Sequence, residues 1–278
     1  MTYQGYACLH IRRERGVAFV TIDHPPINLF DLALIQEMDR VGRELAVDGD
    51  IRVVVFDSAN PDFFIAHADV ALIQHLPRDI AAKPTELGIF HAMVDRFRTM
   101  PKATMAKLEG RTRGGGSEFV LSLDMRFAAL GKAVLGQPEI ALGILPGGSG
   151  TQRLPRLCGR GRALEIVLGC QDFPADVAER YGYVNRALPP HELGAFVNNL
   201  AYRIASFPAE AVALAKQLVN SAEQRVEDGL LDEAHAFNLT LQTTEAKRRM
   251  SDFLAQGGQT RAMETGDLGR LAEMLAPK

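Results

Sequence analysis

At 278 residues, with 47% hydrophobic and 23% charged side chains, the chain can build one large core with a small appendage; a chain of this size buries roughly 75% of its unfolded surface. A net charge of −3 and a pI near 6.2 exclude a sequence-wide pull toward nucleic acid or an anionic membrane, and Lys247, Arg248 and Arg249 read as a solvated helix face. Cys8, Cys158 and Cys170 form an odd set without C-x-x-C, Met1 to Arg13 does not read as a signal peptide, and no apolar run nears the ~20 residues of a membrane span. The expectation is a reduced, cytoplasmic setting with neither a nucleic-acid nor a membrane partner.

The first 60 residues read as strand, strand, helix, strand. Val17 to Ile22 is apolar and β-branched, as in a strand buried on both faces. His24-Pro25-Pro26 interrupts regular structure. From Asp31, a plausible N-cap, apolar residues recur at Leu34, Ile35, Met38, Val41 and Leu45, a helical spacing. Ile51 to Asp57 is the next strand. This alternation predicts an α/β domain with substantial parallel pairing. Thr104 to Leu108 is a short strand, followed by the glycines 114–116 and a buried helix over Glu118 to Asp124. Met125 to Ala129 either continues that helix or forms a strand. A loop at Leu145 to Gly150 precedes a helix from about Thr151. After Pro189-Pro190 the strand signal ends, and helices are expected over Leu193–Ala205, Ala209–Gln224, Leu230–Leu241 and Glu245–Ala255. The division is an α/β core over 1–200 that carries the site and a helical region over 201–278.

Several site signatures are absent. There is no G-x-x-x-x-G-K-[ST], Gly159-Arg160-Gly161 does not continue as a dinucleotide fingerprint, neither Ser117 nor Ser149 makes G-x-S-x-G, and no H-E-x-x-H occurs. Nothing points to a metal. Two glutamates remain. Glu118 follows three glycines and a serine and opens an apolar run, and Glu139 precedes Ile140, Ala141 and Leu142. Carboxylates set in apolar runs are desolvated, which raises their pKa and suits them to proton transfer near neutrality. Glycines at a helix start let a ligand approach outward-pointing N–H groups, the parts of an oxyanion hole. Read alone, the glycine tract is also compatible with a flexible turn, and each glutamate with a rim or capping role.

Four motifs change that balance. Phe63-Phe64-Ile65-Ala66-His67-Ala68-Asp69-Val70, Gly114-Gly115-Gly116-Ser117-Glu118, Gly136-Gln137-Pro138-Glu139 and Pro146 to Leu154 together resemble, in order and spacing, the crotonase (enoyl-CoA hydratase/isomerase) superfamily. The resemblance runs from about Val17 to Asn185. It implies a crotonase-like spiral of repeated β-β-α units with a helical C-terminal region that packs trimers, which often pair into hexamers. It implies a thioester oxygen held by the backbone N–H groups of Ala68 and Gly115, with Glu118 and Glu139 as the catalytic carboxylates of a hydratase. Many isomerases of the family keep only one of the two, and the dehalogenase aspartate pattern is not visible.

Three departures stand out. His67 replaces the usual glycine before Ala68. The glutamates are 21 positions apart, one more than expected, with the insertion assigned to the Ala129–Lys132 turn. Gln256-Gly257-Gly258 replaces a basic segment after Phe253, so no CoA contact is carried over there. His67 is read as a backbone position or a polar contact to the acyl group, not as a proton carrier. The stretch from Val70 to Arg98, with Ile73, Leu76, Phe90, Met93 and Phe97, is the expected acyl-pocket wall or else an ordinary amphipathic face. The implied activity is reversible hydration of an enoyl-CoA without further cofactor, coenzyme A being part of the substrate. Its rivals are double-bond isomerisation and a non-catalytic acyl-CoA binder or RNA binder.

Overall fold

A computed structural model describes residues 3–76, 83–223, 226–266 and 274–275. Its larger sheet runs in the order β1 (Leu9–Glu14), β2 (Val17–Ile22), β3 (Val53–Ser58), β5 (Ala103–Leu108), β7 (Met125–Ala129) and β10 (Arg186–Leu188), antiparallel between β1 and β2 and parallel thereafter. The smaller sheet is β4 (Phe63–Ile65), β6 (Arg111–Arg113), β8 (Val134–Gly136) and β9 (Phe173–Pro174), with only the β8–β9 pair antiparallel. Successive strands β3/β4, β5/β6 and β7/β8 therefore split between the two sheets, and each pair leads into helical structure. This is the spiral of β-β-α units that the resemblance implies.

Those helical segments are α1 (Leu32–Val47), which precedes β3, then α2 (Val70–Gln74) and α3 (Ile89–Thr99) after β4, and α4 (Gly114–Leu121) after β6. A 3₁₀ turn (Glu139–Leu142), α5 (Gly150–Cys158) and α6 (Arg160–Gly169) follow β8, and α7 (Ala175–Tyr181) follows β9. Asp31 caps α1 by accepting from Leu34 N–H, and the buried face of α1 is the expected Leu34, Ile35, Met38, Val41 and Leu45 stripe. Met125–Ala129 resolves as strand. The glycine tract is the start of α4 itself, four residues earlier than Glu118 suggested. Gly116 explains why: a Cβ there would lie 2.6 Å from the Ile65 carbonyl oxygen, so only glycine lets the helix close on β4.

The chain ends in α8 (Pro190–Ala205), α9 (Ala209–Ser221), α10 (Val226–Leu241), α11 (Thr244–Ala255) and α12 (Arg261–Glu264). The division expected at residue 200 falls inside α8. Its Leu193, Val197, Ala201 and Ala205 are buried against Val17, Phe19, Val53 and Val55 of the large sheet, so α8 packs as part of the core. Among the described residues no helix is long and apolar enough to cross a membrane.

Candidate active site

Ala68 lies just beyond β4, where Phe30 pairs with it in a parallel bridge. Phe30 N–H donates to the His67 carbonyl at 2.9 Å, and Asp69 N–H donates to the Phe30 carbonyl at 3.0 Å. In such a bridge the bracketed residue turns its own N–H to the opposite side. On that side sits α4, close enough that a Cβ on Gly115 would lie 3.1 Å from Ala68 Cβ and 3.4 Å from Ala68 N. Gly115 is the second residue of its helix, so its N–H has no partner within the helix and lies at the positive end of the dipole. Both residues line one cavity of about 250 Å³.

Three residues along α4 from Gly115, on the same face, Glu118 enters that cavity, and Glu139 enters it from the 3₁₀ turn after β8. Both are buried. Glu118 Oε1 accepts from Gly148 N–H at 2.7 Å and from Gly150 N–H at 2.8 Å. The Gln137 amide, with its nitrogen turned to Glu139, donates to both carboxylate oxygens at 3.0 Å while its oxygen accepts from Ser117 Oγ at 3.2 Å. Burial first, then the charges of Glu139 and Glu233, pushes the Glu118 carboxyl well above the usual carboxylate range, against the pull of the two backbone N–H groups. Burial likewise raises Glu139, with Glu233 adding to it and its own backbone N–H and His67 opposing. Two neighbouring buried carboxyls repel each other's ionisation, so near neutrality the pair holds a proton.

The remaining wall is apolar, and the sequence-predicted wall holds only in part. Ile73, Leu76 and Phe90 line the cavity, but Met93 and Phe97 do not. They are completely buried in the main core, where Phe97 packs edge-on against Phe56 and Phe119 at 5.1 and 5.6 Å. The reason is axial distance. Phe90, Met93 and Phe97 share a helix face, but seven residues advance the helix by roughly 10 Å, so only its first turn reaches the cavity. Residues 77–82 of the expected wall lie outside the described residues. Phe237 from α10 and Phe253 from α11 complete the lining instead.

His67 lines the cavity, yet its ring is engaged on both sides. Nδ1 lies 2.8 Å from the Ala68 carbonyl oxygen and Nε2 lies 3.1 Å from Glu264 Oε1. A second buried pair, His91 and Glu233 at 3.1 Å, stands at the start of α5. Glu233 Oε2 accepts from Thr151 N–H at 2.9 Å and from its hydroxyl. Sequence reasoning gives Gln137, Glu233, Glu264, Phe237 and Phe253 no role at the site. Glu233 left a signal, being a carboxylate beside the apolar stripe Leu230, Phe237 and Leu241, whereas Glu264 sits in a four-residue helix with no readable period.

The family model for enoyl-CoA hydratase/isomerase matches residues 12–260. The chain belongs to the enoyl-CoA hydratase/isomerase family. A short-chain-enoyl-CoA hydratase of Clostridium acetobutylicum is 34% identical to this family member, covering 88% of this chain and 93% of the relative. A crotonyl-CoA hydratase of Syntrophomonas wolfei is 33% identical over 90% of this chain and 95% of the relative. A crystal structure of a Streptomyces avermitilis chain superposes with a TM-score of 0.89 at 39% identity, covering 98% of this chain and 99% of that one. The expected fold is thus that of its structural relatives.

Proposed function

We propose that this enzyme adds water reversibly to a 2-enoyl-CoA thioester. The observation that carries the reading is the convergence, in one cavity, of two buried carboxyls with the Ala68 and Gly115 backbone pair. The thioester oxygen accepts hydrogen bonds from those two N–H groups. Losing one such donor typically costs ~3 kcal/mol of barrier. One water sits between Glu118 and Glu139. Glu118 takes a proton as the water oxygen attacks Cβ; the double-bond electrons move through Cα to the thioester oxygen; Glu139 then delivers its proton to Cα. The carboxyl pair starts with one proton and ends with one, on the other member, so a transfer between them resets the site. The thioester acidifies its own α-carbon, and the scheme calls on coenzyme A as part of the substrate and on no further cofactor.

The same reading extends to assembly and setting. A trimer, or a dimer of trimers, is proposed because α9 has no buried residue and exposes Leu214, Leu218 and Val219. A reduced, cytoplasmic setting fits three free, buried cysteines. The direct test is incubation with crotonyl-CoA while the conjugated absorbance is followed. The expected result is its loss to an equilibrium approached from either side. Migration of a 3-enoyl-CoA double bond without any hydration of a 2-enoyl-CoA would overturn the role given to Glu118.

A further inference from the structure

His67 is 6% exposed, and both of its ring nitrogens face oxygen acceptors. A carbonyl and a carboxylate can only accept, so satisfying both requires a proton on each nitrogen. We propose that His67 is a positioning residue held as an imidazolium by Glu264, and that its charge makes Glu139 the stronger proton donor to Cα. The inference rests on the hydratase reading above.

The geometry ties three elements together. A Cβ built on Gly114 would lie 3.0 Å from Glu139 Oε1 and 3.2 Å from His67 Cβ, so nothing larger than that glycine separates the two side chains. Glu264 is completely buried on α12, 197 positions along the chain from His67. It is fixed there from three directions: Gln259 N–H donates to its Oε1 at 2.9 Å, Arg113 Nη1 donates to its backbone carbonyl at 2.9 Å, and the His67 ring reaches the same Oε1. Gln259 Nε2 also donates to Asp69 Oδ1 at 3.0 Å, tying the C-terminal segment to the residue after Ala68. The Phe253 ring packs edge-on against the imidazole at 6.0 Å.

The charged groups around this pair set its electrostatics. His67 meets Glu264 from α12, Glu139 from the 3₁₀ turn and Arg113 from β6. Burial and Arg113 disfavour the imidazolium, yet the charge and hydrogen bond of Glu264, with the hydrogen bond to the Ala68 carbonyl, outweigh them and raise its pKa. Glu139 meets Glu118 from α4, Glu233 from α10 and His67, with Cys170 and Tyr183 further off; burial is the largest influence on it, and His67 opposes burial. An adjacent cation strengthens a carboxylic acid by favouring its ionised form. Neutralising His67 therefore makes Glu139 a weaker acid.

Two measurements test this. Imidazole nitrogen NMR of the whole wild-type protein at pH 7 should show His67 protonated on both nitrogens; a neutral ring would overturn the proposal whatever the enzyme catalyses. Glu264→Gln keeps the shape of the carboxylate but removes the charge that holds the imidazolium. It should lower kcat several-fold with little change in KM and move the alkaline limb of the kcat profile up by about one pH unit. His67→Gln should shift the same limb in the same direction, and the double variant no further. Unshifted limbs in folded variants that still hydrate would reduce the pair to scaffolding and sink the proposal. Wild-type protein that fails to hydrate any 2-enoyl-CoA would instead sink the hydratase reading and leave the NMR result standing.

Discussion

At the residue scale the two glutamates carry opposite consequences for activity and stability. Below about pH 4.5 a carboxyl is protonated in both the folded and the unfolded chain. Above that value the unfolded chain gains by ionising, while Glu118 and Glu139, raised first of all by burial, lag behind. Their contribution to stability is thus full at low pH and is lost as pH rises through the raised folded-state values. Glutamine cannot ionise and, at Glu118, can still accept from Gly148 and Gly150. Glu118→Gln and Glu139→Gln should each cut hydration by about 10²–10⁴-fold and yet raise Tm relative to wild type by an increment that grows from pH 5 to pH 9. Because the proposed mechanism has both act on one water, the double substitution should cost less activity than the product of the singles. A Tm increment that shrinks with pH would contradict the burial argument. His67→Gly would leave Glu264 charged and buried without its partner, so the variant should lose stability as well as any influence on catalysis.

At the scale of elements, α3 shows where sequence periodicity stops being informative. The spacing of Phe90, Met93 and Phe97 identifies one helix face correctly but not what lies opposite each turn of it. Phe97→Ala should destabilise the fold by about 3–5 kcal/mol and leave acyl-chain preference unchanged. Phe90→Ala should cost less stability, because that ring is only partly buried, and should alter the ranking of a panel of acyl-CoA thioesters. Chemical denaturation beside that panel separates the two outcomes. Matching effects of the two variants on the panel would mean that the cavity reaches deeper along α3 than its lining residues indicate. The glycine tract was legible for a similar reason in reverse: close approach of α4 to Ile65 and Ala68 demands residues without a side chain, and that demand shows in the sequence as a run. The clamp on Gly148, Gly150 and Thr151, where the chain enters α5, was not legible. Glu118 and Glu233 hold it from two helices more than a hundred positions apart, a pairing that only the fold creates.

For the whole molecule, the β-β-α winding brings the ends of β4, β6 and β8 side by side, and that is what unites motifs scattered from residue 63 to residue 154. The strands β2, β3 and β5 of the larger sheet could be read from the sequence because each is largely an apolar run, whereas short buried strands such as Arg111-Thr112-Arg113 could not. The closure of the site by α10, α11 and α12 could not be, because it depends on how the C-terminal helices return over the core. That return also leaves α9 on the outside with Leu218 and Val219 each more than two-thirds exposed. A stable monomer rarely tolerates such a stripe. Sedimentation at micromolar concentration should give three or six times the 30.4 kDa of one chain. A clean single-chain mass would refute the proposed assembly.

The close approach of Gly148 to the Glu118 carboxylate has a consequence for how the gene can drift. A Cβ at that position would fall 2.5 Å from Glu118 Oε2 and the same distance from the Phe90 ring. Every glycine codon becomes an alanine codon by a single base change, the mildest missense change that glycine can undergo. Here that change adds a methyl group where the Glu118 carboxylate and the pocket wall already meet. Codon 148 is therefore constrained by the side chains of Glu118 and Phe90, although the residue it encodes has no side chain of its own.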